Sequence, residues 1–225
     1  GGMGVNISSW PLARTVSKLG QQGTVSGTAL EKVMARILQS GDPGGHLGRT
    51  LSHFPFPHIA KKVLDTFYKK GGSPKGVRVR NAPVFRVAPS NLLISLVICA
   101  NYAFVWLAKE GHENHVSINY LEKVAMPHPY AITGAMLAGV DFVTMGAGIP
   151  LQIPGMIEAI AEGKTANYRV PVIGKGITNY TMSFNPEQFF GGKLPPMKRP
   201  EFIPIVSSNL LACIFKRKLT HGSVY

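Results

Sequence analysis

Four short apolar runs in this chain close on small or polar residues: Ser26-Gly27-Thr28, Asn119, Gly146-Ala147-Gly148 and Ser207-Ser208. Glycine and serine let a backbone come close to a phosphate or a flat ring, because little or nothing projects from Cα. An asparagine amide both donates and accepts, which suits the edge of a heteroaromatic ring. The same residues are also ordinary turn formers. Asn119 alone could initiate a turn, and Gly146-Ala147-Gly148 alone could be a tight strand-to-helix connection. Repetition makes the binding reading worth pursuing, since each group stands just before a helical pattern. Together they point to an α/β enzyme with a phosphorylated cofactor.

The runs that carry these groups are Thr24-Val25-Ser26-Gly27-Thr28, Val116-Ser117-Ile118-Asn119, Phe142-Val143-Thr144-Met145-Gly146-Ala147-Gly148 and Ile203-Pro204-Ile205-Val206-Ser207-Ser208. Strands buried on both faces read as continuous Val/Ile-rich runs, and parallel strands need a helical crossover between them. Four parallel neighbours in one curved sheet, in chain order, are therefore expected, with all four ends opening on one face. Helices are predicted from Ser9 to about Leu19, from Thr28 to near Gly41, from Asp42-Pro43 through Leu51, and from Pro57 to Tyr68. Thr28 and Glu31 have capping-box spacing at the second of these. Ser90 caps a long apolar helix, another helix follows Pro127-His128-Pro129, and a further one spans about 153–161. The last carries Leu210, Leu211, Ile214 and Phe215, with Lys216-Arg217-Lys218 at its end, where cations suit the dipole. Gly/Pro-rich excursions are expected near 41–89, with a short strand at Val77–Val79, and near 174–200.

A chain of 225 residues with 45% hydrophobic content is ample for one core. The apolar run at 92–108 is interrupted by Ser95, Asn101 and Tyr102 and falls short of the roughly 20 residues needed to span a bilayer. A buried helix is the expectation, and no membrane partner. Cys99 and Cys213 both fall in apolar helical patterns, so buried free thiols in a reducing, cytoplasmic compartment are expected. The formal charge of +13 gathers in Lys61-Lys62, Lys69-Lys70, Lys75, Arg78, Arg80 and Arg86, in Lys193 and Lys198-Arg199, and in Lys216-Arg217-Lys218. Such a surface is either simply solvated or suits an acidic or phosphate-bearing partner. No nucleic-acid motif accompanies it, and no metal site is expected.

Gly146-Ala147-Gly148 fails the G-x-G-x-x-G/A dinucleotide fingerprint, because Leu151 holds the sixth position and Pro150 interrupts the loop. A different pattern is more specific. Gly1-Gly2-Met3-Gly4 followed by Leu12-Ala13-Arg14-Thr15-Val16-Ser17-Lys18-Leu19-Gly20 resembles the opening of the nitronate monooxygenase (2-nitropropane dioxygenase-like) family. Val116-Ser117-Ile118-Asn119-Tyr120, Val143-Thr144-Met145-Gly146-Ala147-Gly148-Ile149-Pro150 and Ile203-Pro204-Ile205-Val206-Ser207-Ser208 resemble it as well. That group is related to the FMN-dependent enoyl-acyl-carrier-protein reductases.

The resemblance implies an FMN-binding (β/α)₈ TIM barrel, with the flavin across the C-terminal mouth of the strands. Residues 1–225 would form a partial barrel domain: about strands 2 to 5, the start loop, and the beginning of strand 6 at Val224-Tyr225. The family's flavin contacts fall on Gly2, Met3, Gly4, Ser26, Gly27, Asn119, Gly146, Ala147 and Ser207. Its catalytic histidine segment and phosphate loops would follow Tyr225, so no catalytic residue is assigned. Gly44-Gly45-His46 copies the histidine motif but comes far too early, which leaves His46 a weak candidate. His128, after the third strand, is another; His112 and His115 precede a strand and lie toward the opposite end. The implied activity is a flavin-dependent oxidation of alkyl nitronates with O₂. Two alternatives stand beside it. One is an enoyl-thioester reductase using NAD(P)H, for which an acidic acyl carrier protein would explain the basic surface. The other is a non-catalytic barrel fragment serving as a binding or assembly partner. A small-molecule substrate, and compatibility with a homo-oligomer, complete the expected partners.

Overall fold

In the computed structural model, which describes residues 2, 4–170, 172 and 180–218, the four apolar runs become strands. In chain order the strands are β1 (Gly23–Ser26), β2 (Val116–Leu121), β3 (Phe142–Gly146), β4 (Ala166–Val170), β5 (Tyr180–Phe184) and β6 (Glu201–Pro204). β1, β2, β3 and β6 lie side by side in that order, and every neighbouring pair is parallel. The protein is thus α/β, with a four-stranded parallel sheet. β4 and β5 form a separate antiparallel hairpin.

Registered partners in a parallel pair share a face, so the two faces of the sheet can be read directly. Val25, Ile118, Val143 and Met145 lie on one face and are fully buried, and Tyr120 joins them with its ring between helices. Thr24, Ser26, Ser117, Asn119 and Thr144 lie on the other. The alternation of aliphatic with small polar residues therefore separates a packed side from a polar side.

The helices are α1 (Trp10–Lys18), α2 (Leu30–Gln39), α3 (His46–Ser52), α4 (Pro57–Phe67), α5 (Asn91–Lys109), α6 (His128–Leu137), α7 (Ile153–Ala161), α8 (Pro186–Phe190) and α9 (Asn209–Lys218). α5 is apolar on all sides because it is surrounded: α1, α2, α3, α4 and α6 pack around it, and β1 and β2 touch it. By length and composition alone it could cross a membrane, yet 83% of its most apolar window is buried in the protein. It is the central core helix. Ser90 caps it, its Oγ accepting from Leu93 N at 3.3 Å. Asp42 caps α3 with both carboxylate oxygens, on Leu47 N at 3.1 Å and Gly48 N at 2.7 Å.

The N-terminal end of the sheet is tied by Asp141. Its carboxylate accepts from Lys109 Nζ at 2.6 Å and from Val116 N at 2.9 Å, and Lys198 Nζ stands 3.6 Å away. Its own backbone bonds to Val116 O and Glu201 N. One residue thus joins the end of α5 to the starts of β2, β3 and β6.

Several sequence expectations are corrected. Thr28 and Glu31 form no capping box: the N-cap of α2 is Ala29, in left-handed backbone at φ +55°, which moves Glu31 one position too early for the reciprocal bond. No strand forms at Val77–Val79. Arg80 N donates to Gln39 Oε1 at 2.6 Å and Gln39 Nε2 donates to Arg80 O at 2.9 Å, so this segment is strapped to a helix side chain instead. The second excursion contains β5 and α8, and β4 precedes it. The hairpin does carry a period-two signal, with Ala166, Tyr168, Met182 and Phe184 buried between exposed neighbours. The last strand, expected over 202–206, runs Glu201–Pro204, and Leu210 is exposed while Phe215 is buried. Cys99 is buried but Cys213 is exposed. Val224-Tyr225, expected as a strand start, lies outside the described residues.

Candidate functional site

β1 closes on Ser26, but β2 runs two residues past Asn119, expected as its close, to Leu121, and β3 runs to Gly146, so the polar groups of these strands lie near one rim rather than at every strand end. Ser26 registers with Asn119, and Asn119 with Thr144, which sets these three side chains in a row across three strands. One step below, Ser117 Oγ and Thr144 Oγ1 are 2.9 Å apart. Asn119 is 2% exposed and Ser26 1%, and Ser26 Oγ has no hydrogen-bond partner among the described residues. The sheet ladder continues past the strands, with Gly27 N donating to Asn119 O at 2.8 Å.

The chain start lies against this row. Ser8 O accepts from Ser26 N at 2.8 Å, and Ser8 Oγ donates to Thr24 O at 2.5 Å, anchoring the segment along β1. Gly2, at φ +80°, sits so close that a Cβ there would come within 2.7 Å of Thr24 Cγ2 and 3.5 Å of Asn119 Cβ. Gly4 opens the turn closed by Ile7 N to Gly4 O at 3.1 Å. Met3 lies outside the described residues.

β3 is held on both sides at its end: Glu122 N donates to Gly146 O and Ile205 N to Met145 O, each at 2.8 Å. Ala147 then turns in left-handed backbone at φ +56°, costly for a residue with a Cβ. Ser207 follows β6 in an exposed bend before α9. Gly2, Ser26, Gly27, Asn119, Gly146, Ala147 and Ser207 thus all stand at the same end of the sheet.

The histidines go elsewhere. His46 packs on the Trp10 ring, centroids 5.0 Å apart, within the helical layer. It stands near Glu110, whose carboxyl is lowered first by the Arg49 hydrogen bond and further by the charges of Arg49, Arg14 and His46, against a smaller opposing effect of burial. His115 faces Asp141 at 3.8 Å, at the opposite end of the sheet from the polar row. His128 is buried at the start of α6. Burial pushes it down to about 4, so the ring is neutral at physiological pH. Its Nε2 faces Leu121 O at 3.0 Å and therefore carries the proton.

Behind the rim, on the helix side, a cavity of about 570 Å³ opens between α2, α5, α6 and the strap around residues 80–85. Its inner wall includes Asn101, Tyr120 and His128, and Lys32, Arg36 and Arg80 stand at its exposed edge. Sequence reading did not find it. The only local sign was Asn101, a polar residue inside the apolar run of α5. Tyr120 Oη lies 2.9 Å from Asn101 Oδ1 and 3.1 Å from Ala131 O. Among the described residues no group of three His, Cys, Asp or Glu side chains converges as a metal site would. The chain matches no protein-family model, no curated protein and no solved structure.

Proposed function

We propose that this protein binds FMN at the shared C-terminal ends of β1, β2, β3 and β6, as part of a (β/α)₈ barrel. On this reading it is a cytoplasmic flavin-dependent oxidoreductase of the nitronate monooxygenase type. The observation that carries the proposal is the row Ser26–Asn119–Thr144 at a rim where four parallel strands end. On this face Thr144 Oγ1 pairs with Ser117 Oγ, while Ser26 Oγ beside Asn119 has no hydrogen-bond partner among the described residues. A buried serine hydroxyl without a protein partner can bond to a ligand or to water, and we assign it to a ligand.

The residues fit the polar edge of a flat ring. Asn119 offers an amide for ring nitrogens and carbonyls, and Ser26 offers a hydroxyl beside it. Gly2, Gly27 and Gly146 let the rim backbone pack closely on Thr24, Tyr120 and Ile205, and Gly4, Ala147 and Ser207 stand on the adjoining loops. FMN, when bound, supplies the redox chemistry, with an alkyl nitronate as reductant and O₂ as oxidant. The protein's part is to hold the ring and seat a small-molecule substrate against it.

Replacing Asn119 by alanine should weaken FMN binding by about 1–3 kcal/mol, the usual cost of leaving a polar partner unsatisfied. Flavin fluorescence titration of wild type and variant measures this directly. Equal affinities would leave Asn119 a purely structural residue of β2 and remove the central contact.

A second reading, the enoyl-thioester reductase, is favoured by one observation. Lys69, Lys70, Lys75, Arg78, Arg80 and Arg86 are all exposed on one stretch, suited to an acidic carrier protein. The two separate in a paired assay. The monooxygenase consumes O₂ with a nitronate and needs no reduced nicotinamide. The reductase oxidises NAD(P)H only with an enoyl thioester, and its carrier-dependent rate falls as salt rises.

A further inference from the structure

We propose that the cavity behind the rim is a binding site for a single-chain organic anion, a medium-chain carboxylate, with its charged head at the mouth and its apolar tail inside. The cavity lies on the helix side of the sheet and shares only Gly27 with the residues assigned to the flavin; Ser26, Asn119 and Thr144 lie on the other face, so this assignment does not depend on the flavin reading.

Three observations carry it. The first is size: about 570 Å³ lies within the range of pockets that enclose small organic ligands, roughly 300–1,000 Å³. The second is the lining. Ala35, Val97, Met126, Ala131 and Phe85 supply apolar walls from four separate stretches of chain. Among the uncharged polar groups of the wall, Thr28 Oγ1 and His128 Nδ1 have no partner among the described residues, and the latter is an acceptor that cannot donate to an anion; the others are engaged. Asn101 Nδ2 donates to Val97 O at 2.9 Å, Tyr120 Oη occupies Asn101 Oδ1, and His128 Nε2 is spent on Leu121 O. One neutral hydroxyl is too little compensation for a carboxylate leaving water, so the head stays out and the tail goes in.

The third is charge at the mouth. Lys32, Arg36 and Arg80 are exposed there, and none of them makes a salt bridge among the described residues. Arg36 Nη2 donates to Asn81 Oδ1 at 3.0 Å, which fixes its guanidinium beside the strap. The acid of the lining is Glu31, whose carboxyl burial raises above the usual range, with Lys32 opposing that shift. Three cations against one buried acid give the opening a positive field.

The strap also explains why such a cavity exists. Gln39 holds Arg80 by both its N–H and its carbonyl, so residues 80–85 arch over α2 instead of packing down on it.

The test is calorimetric titration of the full-length protein with octanoate, butyrate and octanol. Octanoate should saturate a single site, with butyrate about tenfold weaker for want of a tail and octanol about tenfold weaker for want of a charge. The double variant Arg36→Gln/Arg80→Gln changes only exposed side chains. It should bring octanoate down to the level of octanol and leave octanol unchanged. Ala82→Trp, at a half-buried position of the strap that lines the cavity, adds bulk to fill it and should abolish both. Absence of saturable octanoate binding would overturn the proposal. So would octanoate affinity that survives Ala82→Trp, because the anion would then be sitting elsewhere on the basic surface.

Discussion

An alanine in place of Gly134 is expected to destabilise the protein by about 2 kcal/mol, although alanine is the better helix former. Gly134 lies in α6 where that helix crosses α5, and its Cα faces the backbone of Ile98. A Cβ there would overlap Ile98 O and stand 3.0 Å from the carbonyl carbon and Cα of the same residue. Backbone cannot rotate aside as a side chain can, so the helices must move apart. Overpacking costs about 1–3 kcal/mol, and more where the neighbours are rigid. The gain in helix propensity is only about 1 kcal/mol. The clash wins. Chemical denaturation of wild type and variant measures the difference, and an unchanged or raised midpoint would mean that α5 and α6 are not in such close contact. Since α5 is the helix around which the others gather, this result also tests the core arrangement that holds the sheet.

Asp141→Ala should cost about 2–4 kcal/mol at neutral pH, because it strands a partly buried Lys109 and the Val116 N–H together. The cost should also depend on pH. Burial alone would raise the Asp141 carboxyl, but the hydrogen bonds from Lys109 and Val116 N, with the charges of Lys109 and Lys198, outweigh it and hold the group below its usual value. A carboxyl lowered on folding contributes stability that is fully present above its unfolded-state value of about 4. That contribution is lost as pH falls through the lower folded-state value. The stability gap between wild type and Asp141→Ala should therefore hold from neutral pH to about pH 5 and shrink in stronger acid. A gap that stays constant down to low pH would show that the carboxylate's charge plays no part in joining β2, β3 and β6.

The elements read from local patterns are those whose burial follows from a single period. α7 runs over the residues expected because Ile153, Met156, Ile157 and Ile160 recur on one face, and all four are buried. The parallel order β1-β2-β3-β6 was legible because each run is apolar enough to be covered on its packed face and is followed by a helix. The polar row was half legible. Ser26 and Asn119 each stood out as the close of a run, but only register could set them beside each other and beside Thr144.

What escaped sequence reading depends on contacts distant in the chain. The cap of α2 shifted by one residue because Ala29 takes a left-handed turn that nothing in its type announces. The strap at Arg80 follows from Gln39, forty-one positions earlier, and the cavity from four elements that no sequence window contains together. The β4–β5 hairpin was obscured by the Gly/Pro content of its surroundings, although Tyr168 and Met182 alternate correctly and pair across it.

The central claim, that the rim formed by Ser26, Asn119 and Thr144 holds a flavin, is tested most directly by titrating the purified full-length protein with FMN while recording flavin absorbance and fluorescence. The account predicts a yellow protein that takes up one FMN, prefers it to FAD and to nicotinamide nucleotides, and loses affinity when Ser26 and Asn119 are replaced together by alanine. A colourless protein whose addition leaves the FMN spectrum unchanged would contradict it, as would flavin binding unaffected by the double replacement.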